Sequence, residues 1–286
     1  MSEAAIDQYI ADLAQATKAT GLSLISNNEN ASRVYNGFIG KRKVLIKISL
    51  EKKIVQNINR ETVLLKKLRH PDLVKYISHG RFRTRQGKAV RYLVEEFIEG
   101  KTLAEIIDKT GPVPWQTAIP YMIQMCCFLK KLHCAKRIYV DLKPDNMIIN
   151  AEGKLKLIDL GAAKKQPYTT NGTALGVAQY MSPDWATYPQ VDARSDIYSL
   201  GIMLFEMLTG KVPFHKEIEK AETTKDREYV FNVCMRNHLH SPRPPISYVP
   251  EKLEQIYKKL MNSWMPARYQ TIDEVLSDLN KINTAE

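Results

Sequence analysis

The stretch Tyr139 to Asn150, YVDLKPDNMIIN, sets Asp141, Lys143 and Asn146 within six residues, beside Pro144. Eighteen residues after Asp141 comes Asp159, in the run KLKLIDLGAAK at 154–164. Between them, Met147-Ile148-Ile149 and Leu155-Lys156-Leu157 read as short strands of a hairpin that returns the chain. Such a hairpin can place Asp159 beside Asn146, an amide oxygen next to a carboxylate. These are hard oxygen donors, suited to Mg2+ held together with phosphate. Asp141 could then orient an attacking hydroxyl and accept its proton, while Lys143 neutralises charge on a phosphoryl group in flight.

Positioning these groups needs a scaffold, and the hydrophobic periodicity supplies one. Residues 4–17 read as a short helix with Ile6, Ile10 and Leu13 on one face. From 22 to 50 the pattern turns to strands, LSLI, SRVYNGF and KVLIKISL, with Asn36-Gly37 and Gly40-Lys41 as turns. A helix is expected over about 52–69, with Ile54, Ile58, Val63 or Leu64, and Leu68 inward, ended by Pro71. Strands near 73–83 and 89–98 flank a turn at Gln86-Gly87, completing a five-stranded antiparallel sheet with one long helix. After Gly100 the character changes: 102–109, 117–136, 192–210, 227–237, 251–262 and 270–282 all read as helices. The fold class is therefore α+β, in two lobes: an N-terminal helical extension at 1–20, a sheet-rich lobe at 21–98 and a larger, mainly helical lobe at 99–286. The join near Glu96 to Gly100 is a natural place for a cleft.

A chain of 286 residues with 44% hydrophobic and 26% charged residues has the composition of an ordinary globular protein. No apolar run approaches the roughly 18 residues of a membrane span, and the acidic start MSEAAIDQYIADLAQ is not a secretory leader. Cys126, Cys127, Cys134 and Cys234 lack metal-ligand spacing and read as reduced thiols, which points to a cytoplasmic protein. The net charge of +11 is uneven: residues 1–98 hold 18 Lys and Arg against 9 Asp and Glu. Clusters at Lys41-Arg42-Lys43, at Lys66-Lys67 with Arg69, and at Arg81, Arg83 and Arg85 read as a solvated face or a surface for an acidic partner. No aromatic-rich nucleic-acid motif accompanies them.

Taken with its neighbours, the catalytic stretch resembles the protein kinases, most of all the bacterial, eukaryotic-like (Hanks-type) serine/threonine branch. The family's His-Arg-Asp-Leu-Lys-Pro-x-Asn loop stands here as Tyr139-Val140-Asp141-Leu142-Lys143-Pro144-Asp145-Asn146, and its Asp-Phe-Gly as Asp159-Leu160-Gly161. The resemblance covers about residues 22–282. It implies ATP and Mg2+ as cofactors, a protein Ser or Thr hydroxyl as acceptor, Asp141 and Lys143 as catalytic residues, and Asn146 and Asp159 as metal ligands. Val44-Leu45-Ile46-Lys47 matches the strand-lysine motif, so Lys47 is expected at the α- and β-phosphates, paired with Glu61. Val34, Leu45, Ile148 and the hinge residues Glu96 and Ile98 complete the implied nucleotide site. Met181-Ser182-Pro183-Asp184 stands for Ala-Pro-Glu, and Arg268 is expected to pair with Asp184. Taken alone, Asp196 reads as a helix N-cap.

The departures bear on activity. Aligned on Val34, the phosphate loop carries Asn27, Glu29 and Ser32 where the family has glycines. Asparagine tolerates left-handed backbone, but a carboxylate at Glu29, about 6–8 Å from phosphate, would weaken binding by up to ~1–2 kcal/mol at a dielectric of 20–40. Leu45 adds bulk where the family has alanine. Glu95 occupies the usually apolar gatekeeper position and could compete with Glu61 for Lys47. Val140 replaces the arginine that clamps a phosphorylated loop, and Val177 a threonine that bonds the catalytic residues. Thr169, Thr170 and Thr173 are the candidate phosphosites. An active kinase is the reading that follows, with a pseudokinase scaffold and a small-molecule kinase of the same superfamily as alternatives.

Overall fold

The computed structural model describes residues 3–27, 32–49, 52–85, 87–170 and 176–283. The chain divides into two compact units, one of Met1–Glu99 with Asp159–Gly161, the other of Gly100–Ile158 with Ala162–Glu286.

The first unit contains α1 (Glu3–Thr17), β1 (Thr20–Asn27), β2 (Arg33–Ile39), β3 (Arg42–Ser49), α2 (Lys52–Lys67), β4 (Tyr76–Arg83) and β5 (Ala89–Glu96). Its five strands form one antiparallel sheet in the order β1-β2-β3-β5-β4. Side chains alternate across a strand, so β3 sends Val44, Ile46 and Ile48 to one face and Leu45 and Lys47 to the other. The first face forms a core with Tyr35, Val90, Val94 and Leu13 of α1. On the other face β3 and β5 pair Leu45 with Glu95 and Lys47 with Leu93, which sets Lys47 and Glu95 on one diagonal.

Two local expectations change here. Asn36-Gly37 lies inside β2 and is not a turn. A Cβ on Gly37 would sit 2.8 Å from Leu22 Cδ2 and 3.1 Å from Thr20 O, beside an irregularity in the β1–β2 register. The glycine serves close strand approach, and the hairpin turns instead at Gly40-Lys41, where Gly40 has φ +61. On α2, Leu64 is the inward residue and Val63 is exposed.

The second unit begins with β6 (Gly100–Thr102), α3 (Leu103–Thr110), α4 (Trp115–Cys134) and β7 (Arg137–Ile138). The hairpin β8 (Met147–Asn150) and β9 (Leu155–Leu157) follows, then β10 (Lys164–Lys165), β11 (Tyr168–Thr169), α5 (Asp184–Thr187) and β12 (Gln190–Val191). The remainder is α6 (Ala193–Thr209), α7 (His215–Glu222), α8 (Arg227–His240), α9 (Glu251–Leu260) and α10 (Ile272–Asn283). Helix α6 is buried on every side from Ser195 to Phe205. Gly201 lets it approach α9, since a Cβ there would meet Met261 Cγ at 2.5 Å. Asp192, not Asp196, caps α6 by accepting from Arg194 N, and Gly210 ends it with left-handed φ 75. Helix α7 carries only Ile218 and Ala221 inward and was not among the helices expected from the sequence. The molecule is thus α+β, with its five-stranded sheet in one unit and most of its helix in the other.

Candidate active site

In the first unit, Lys47 lies buried between two carboxylates. Its Nζ is 2.6 Å from Glu61 Oε1 and 3.2 Å from Glu95 Oε2. The three side chains are 10%, 3% and 2% exposed. Glu61 Oε1 also accepts a hydrogen bond from Leu160 N at 3.1 Å, which ties α2 to the Asp159-Leu160-Gly161 segment. Arg60 strengthens that tie by donating to Gly161 O and to Asn57 Oδ1. Glu95 Oε1 is buried and has no partner among the described residues.

Burial would lower the Lys47 ammonium, but Glu61, Glu95 and Asp159 outweigh it, so its pKa rises and the lysine stays charged. Burial pushes both carboxyls up, and Lys47 pulls both down. One cation facing two buried carboxylates leaves a surplus of negative charge, so the net direction for both acids is upward. Asp159 itself adopts φ 65, a left-handed conformation that aspartate tolerates, and its Oδ1 accepts from Gly161 N at 2.8 Å.

In the second unit, Asp141 is held from both sides. Asn146 Nδ2 donates to Asp141 O at 2.8 Å and to Asp141 Oδ2 at 3.1 Å. Lys143 Nζ lies 3.3 Å from the same Oδ2. Proline at 144 starts a single 3-10 turn, Pro144–Asn146, which brings Asn146 back over Asp141. Upstream, Val140 has φ 76, an uncommon conformation for a β-branched residue. Asp196 holds it there: its Oδ1 accepts from Val140 N at 3.0 Å, and its Oδ2 from Tyr139 N at 2.8 Å and from His133 Nε2 at 2.8 Å. Below, Tyr139 Oη donates to Ile158 O, and Ile158 N donates to Asn146 O at 3.0 Å. The hairpin β8–β9 therefore ends with its last residue before Asp159 bonded to Asn146. Gly176, at φ +89, stands behind Asp141, where a Cβ would come within 3.2 Å of Oδ1.

The remaining site positions distribute over both units. Val34 is half-buried on β2 opposite Lys47, and Leu45 is half-buried opposite Glu95. The Glu96 N–H is already used on Lys75 O at 3.0 Å, and its carboxylate accepts from Lys75 N. Ile98 is half-buried in the first unit and Ile148 in the second. Glu29 and Thr173 lie outside the described residues. Thr169 is exposed, whereas Thr170 is buried. Asp184 and Arg268 form a fully buried two-point ion pair at 2.8 and 3.0 Å, as the sequence leads one to expect. Arg60, Asp196 and Gly176 were not marked for these supporting contacts by the residue pattern. Each acts through backbone groups, which sequence spacing does not display.

The protein kinase domain family model matches residues 30–279. A probable serine/threonine-protein kinase of Clostridium perfringens is 30% identical over 95% of this chain and 38% of its own length. The probable serine/threonine-protein kinase PknB of Lactococcus lactis is 29% identical over 96% of this chain and 42% of its own. The PknB of Mycobacterium leprae, named a serine/threonine-protein kinase, is 32% identical over 77% and 34%. The chain thus spans well under half the length of these relatives. No helix among its described residues is long and apolar enough to cross a membrane.

Proposed function

We propose, from the premise that this chain belongs to the protein kinase domain family, that it transfers the γ-phosphoryl group of MgATP to a protein serine or threonine hydroxyl. The observation that carries this reading is the buried Lys47–Glu61 pair at 2.6 Å, with Glu61 also holding Leu160 N. In this reading Lys47 binds the α- and β-phosphates, and Val34, Leu45 and Ile148 enclose the base. The Glu96 carbonyl and the Ile98 N–H read its edge. Asp141 takes the proton of the acceptor hydroxyl as its oxygen bonds to the γ-phosphorus. The bond from that phosphorus to the β–γ bridging oxygen breaks, ADP leaves, and Lys143 offsets the charge on the group in transit.

The donor set fits Mg2+. Asn146 spends Nδ2 on Asp141 and keeps its carbonyl oxygen, while Asp159 spends Oδ1 on Gly161 and keeps Oδ2. Both remaining donors are hard oxygens. The ion would neutralise phosphate charge when bound. Four free cysteines, two of them buried, support a reducing cytoplasmic setting. The exposure of Arg81, Arg83 and Arg85 supports an acidic partner for this face.

Radiolabel transfer from MgATP to a generic basic protein tests the reading. Wild type should incorporate label and Asp141→Ala should lose at least about a hundredfold of it, as removal of a general base does. Absence of incorporation by wild type overturns the reading. One observation favours a catalytically silent binding module instead, namely the second carboxylate, Glu95, on Lys47. A module without a nucleotide site would show no thermal stabilisation by MgATP.

A further inference from the structure

An ammonium has three N–H donors and no more. In the first unit Lys47 donates one to Glu61 Oε1, and Glu95 Oε2, 3.2 Å from the same ammonium, competes with any ligand for the rest. A lysine paired with Glu61 alone would face no such competitor. The sheet register creates this situation: β3 and β5 put Glu95 on the same face as Lys47, diagonally across the strand pair. The carboxylate is 1% exposed, and its second oxygen has no partner among the described residues. A buried acceptor in that state destabilises a fold, and an apolar side chain of similar size would do better. Stability therefore does not account for a glutamate at this position. The charged groups around it are Lys47 on β3, Glu61 on α2 and Asp159 on the adjoining segment.

We propose that Glu95 is a positioning residue that shares the Lys47 ammonium with Glu61 and thereby weakens its hold on nucleotide phosphate. This rests on the reading of Lys47 as the phosphate-binding lysine. Glu95 acts in two ways. It draws the ammonium toward itself and away from phosphate, and it adds negative charge close to where phosphate must bind. An elementary charge about 6 Å away, through an effective dielectric of about 40, changes affinity roughly tenfold. The effect is confined to phosphate, because the ammonium contributes nothing to the base.

The test compares wild type, Glu95→Gln and Glu95→Met for binding of MgATP and of adenosine by calorimetry, with KM and kcat for label transfer alongside. Both variants should bind MgATP about tenfold more tightly and show KM lowered to match, with kcat changed far less. Adenosine affinity should stay level in all three. Equal gains for adenosine and MgATP would make Glu95 a base-pocket residue and overturn the proposal. Unchanged or weaker MgATP binding in both variants overturns it as well. If one variant fails to fold, the other decides, since Gln keeps the shape and Met removes the polar group. Label transfer by wild type judges the kinase reading separately. Where wild type transfers none, a gain of MgATP affinity in the variants still supports the role of Glu95, and its absence rejects it.

Discussion

Each unit buries an ion cluster, and the two are built on opposite principles. Around Arg268 every nitrogen and oxygen of the paired side chains has a partner. Its Nη1 and Nη2 meet the two oxygens of Asp184, its Nε donates to Asn262 O, and Nη1 also reaches Arg194 O. The Ser182 and Ser195 hydroxyls also donate to Asp184 Oδ2. Around Lys47 the balance is uneven, with two carboxylates for one ammonium and one oxygen left over. A planar guanidinium fork closes on a carboxylate in one geometry, while an ammonium is a point charge that can exchange partners. The matched cluster reads as a lock, the unmatched one as a place where a ligand trades contacts.

The lock should be the more costly to break. Arg268→Ala strands a carboxylate that is fully buried, and the expected loss is about 3–5 kcal/mol in chemical denaturation. A loss under about 1 kcal/mol would show that the matched cluster carries no more of the fold than a surface pair does.

Glu206 offers a third arrangement, a half-buried residue whose carboxyl pairs with no cation among the described residues. Its Oε1 accepts from Tyr180 Oη at 3.0 Å, and its Oε2 has no partner among the described residues. Burial pushes its pKa up to about 7, opposed by the Tyr180 bond and reinforced by Asp145 and Asp108. An acid raised in the folded state contributes stability below its unfolded pKa, near 4.5, and loses it as pH climbs through about 7. Glu206→Gln removes this titration. The stability of the variant relative to wild type should therefore improve by roughly 2–3 kcal/mol between pH 4.5 and pH 8. A difference independent of pH would mean that Glu206 is charged in the fold at low cost, and that an unmatched carboxylate need not signal a functional site.

What could be read beforehand follows the same division. The run DLKPDN and the triplet Asp159-Leu160-Gly161 were legible because their chemistry fits into short spacing. The sheet was legible because Val44, Ile46 and Ile48 alternate with Leu45 and Lys47 along one strand. Glu95 could be flagged from its type and position, but its stranded oxygen depends on side-chain geometry that no pattern encodes. Asn36-Gly37 was misread because the dipeptide carries both a turn preference and a steric allowance for a neighbouring strand. Helix α7 escaped because it is only eight residues long and turns just two apolar side chains, Ile218 and Ala221, inward. The exchange of Asp192 for Asp196 as the cap of α6 has a similar cause. Two aspartates four residues apart are equivalent in composition, and only the chain's entry into the helix separates their roles.

Burial can finally be separated from geometry, because α6 begins with a second arginine–aspartate fork at the surface. Arg194 Nε and Nη2 donate to Asp192 Oδ1 and Oδ2 at 3.0 and 2.7 Å, with side chains 28% and 34% exposed. Both are two-point forks, side-on through Nε and Nη2 here and end-on through Nη1 and Nη2 at Arg268, and they differ most in their access to water. Burial alone would raise the Asp192 carboxyl, but the Arg194 hydrogen bonds and charge hold it below its ordinary value. Solvent nonetheless replaces most of what removal of Arg194 would take away. Asp192 keeps its cap on Arg194 N, a backbone group that survives the substitution. Arg194→Ala should cost less than about 1 kcal/mol and lose part of even that in high salt, where screening acts on exposed charges. The Arg268→Ala effect should hold in the same salt. Equal costs for the two variants, or equal salt dependence, would mean that the fork itself and not its burial distinguishes the matched cluster from the cluster around Lys47.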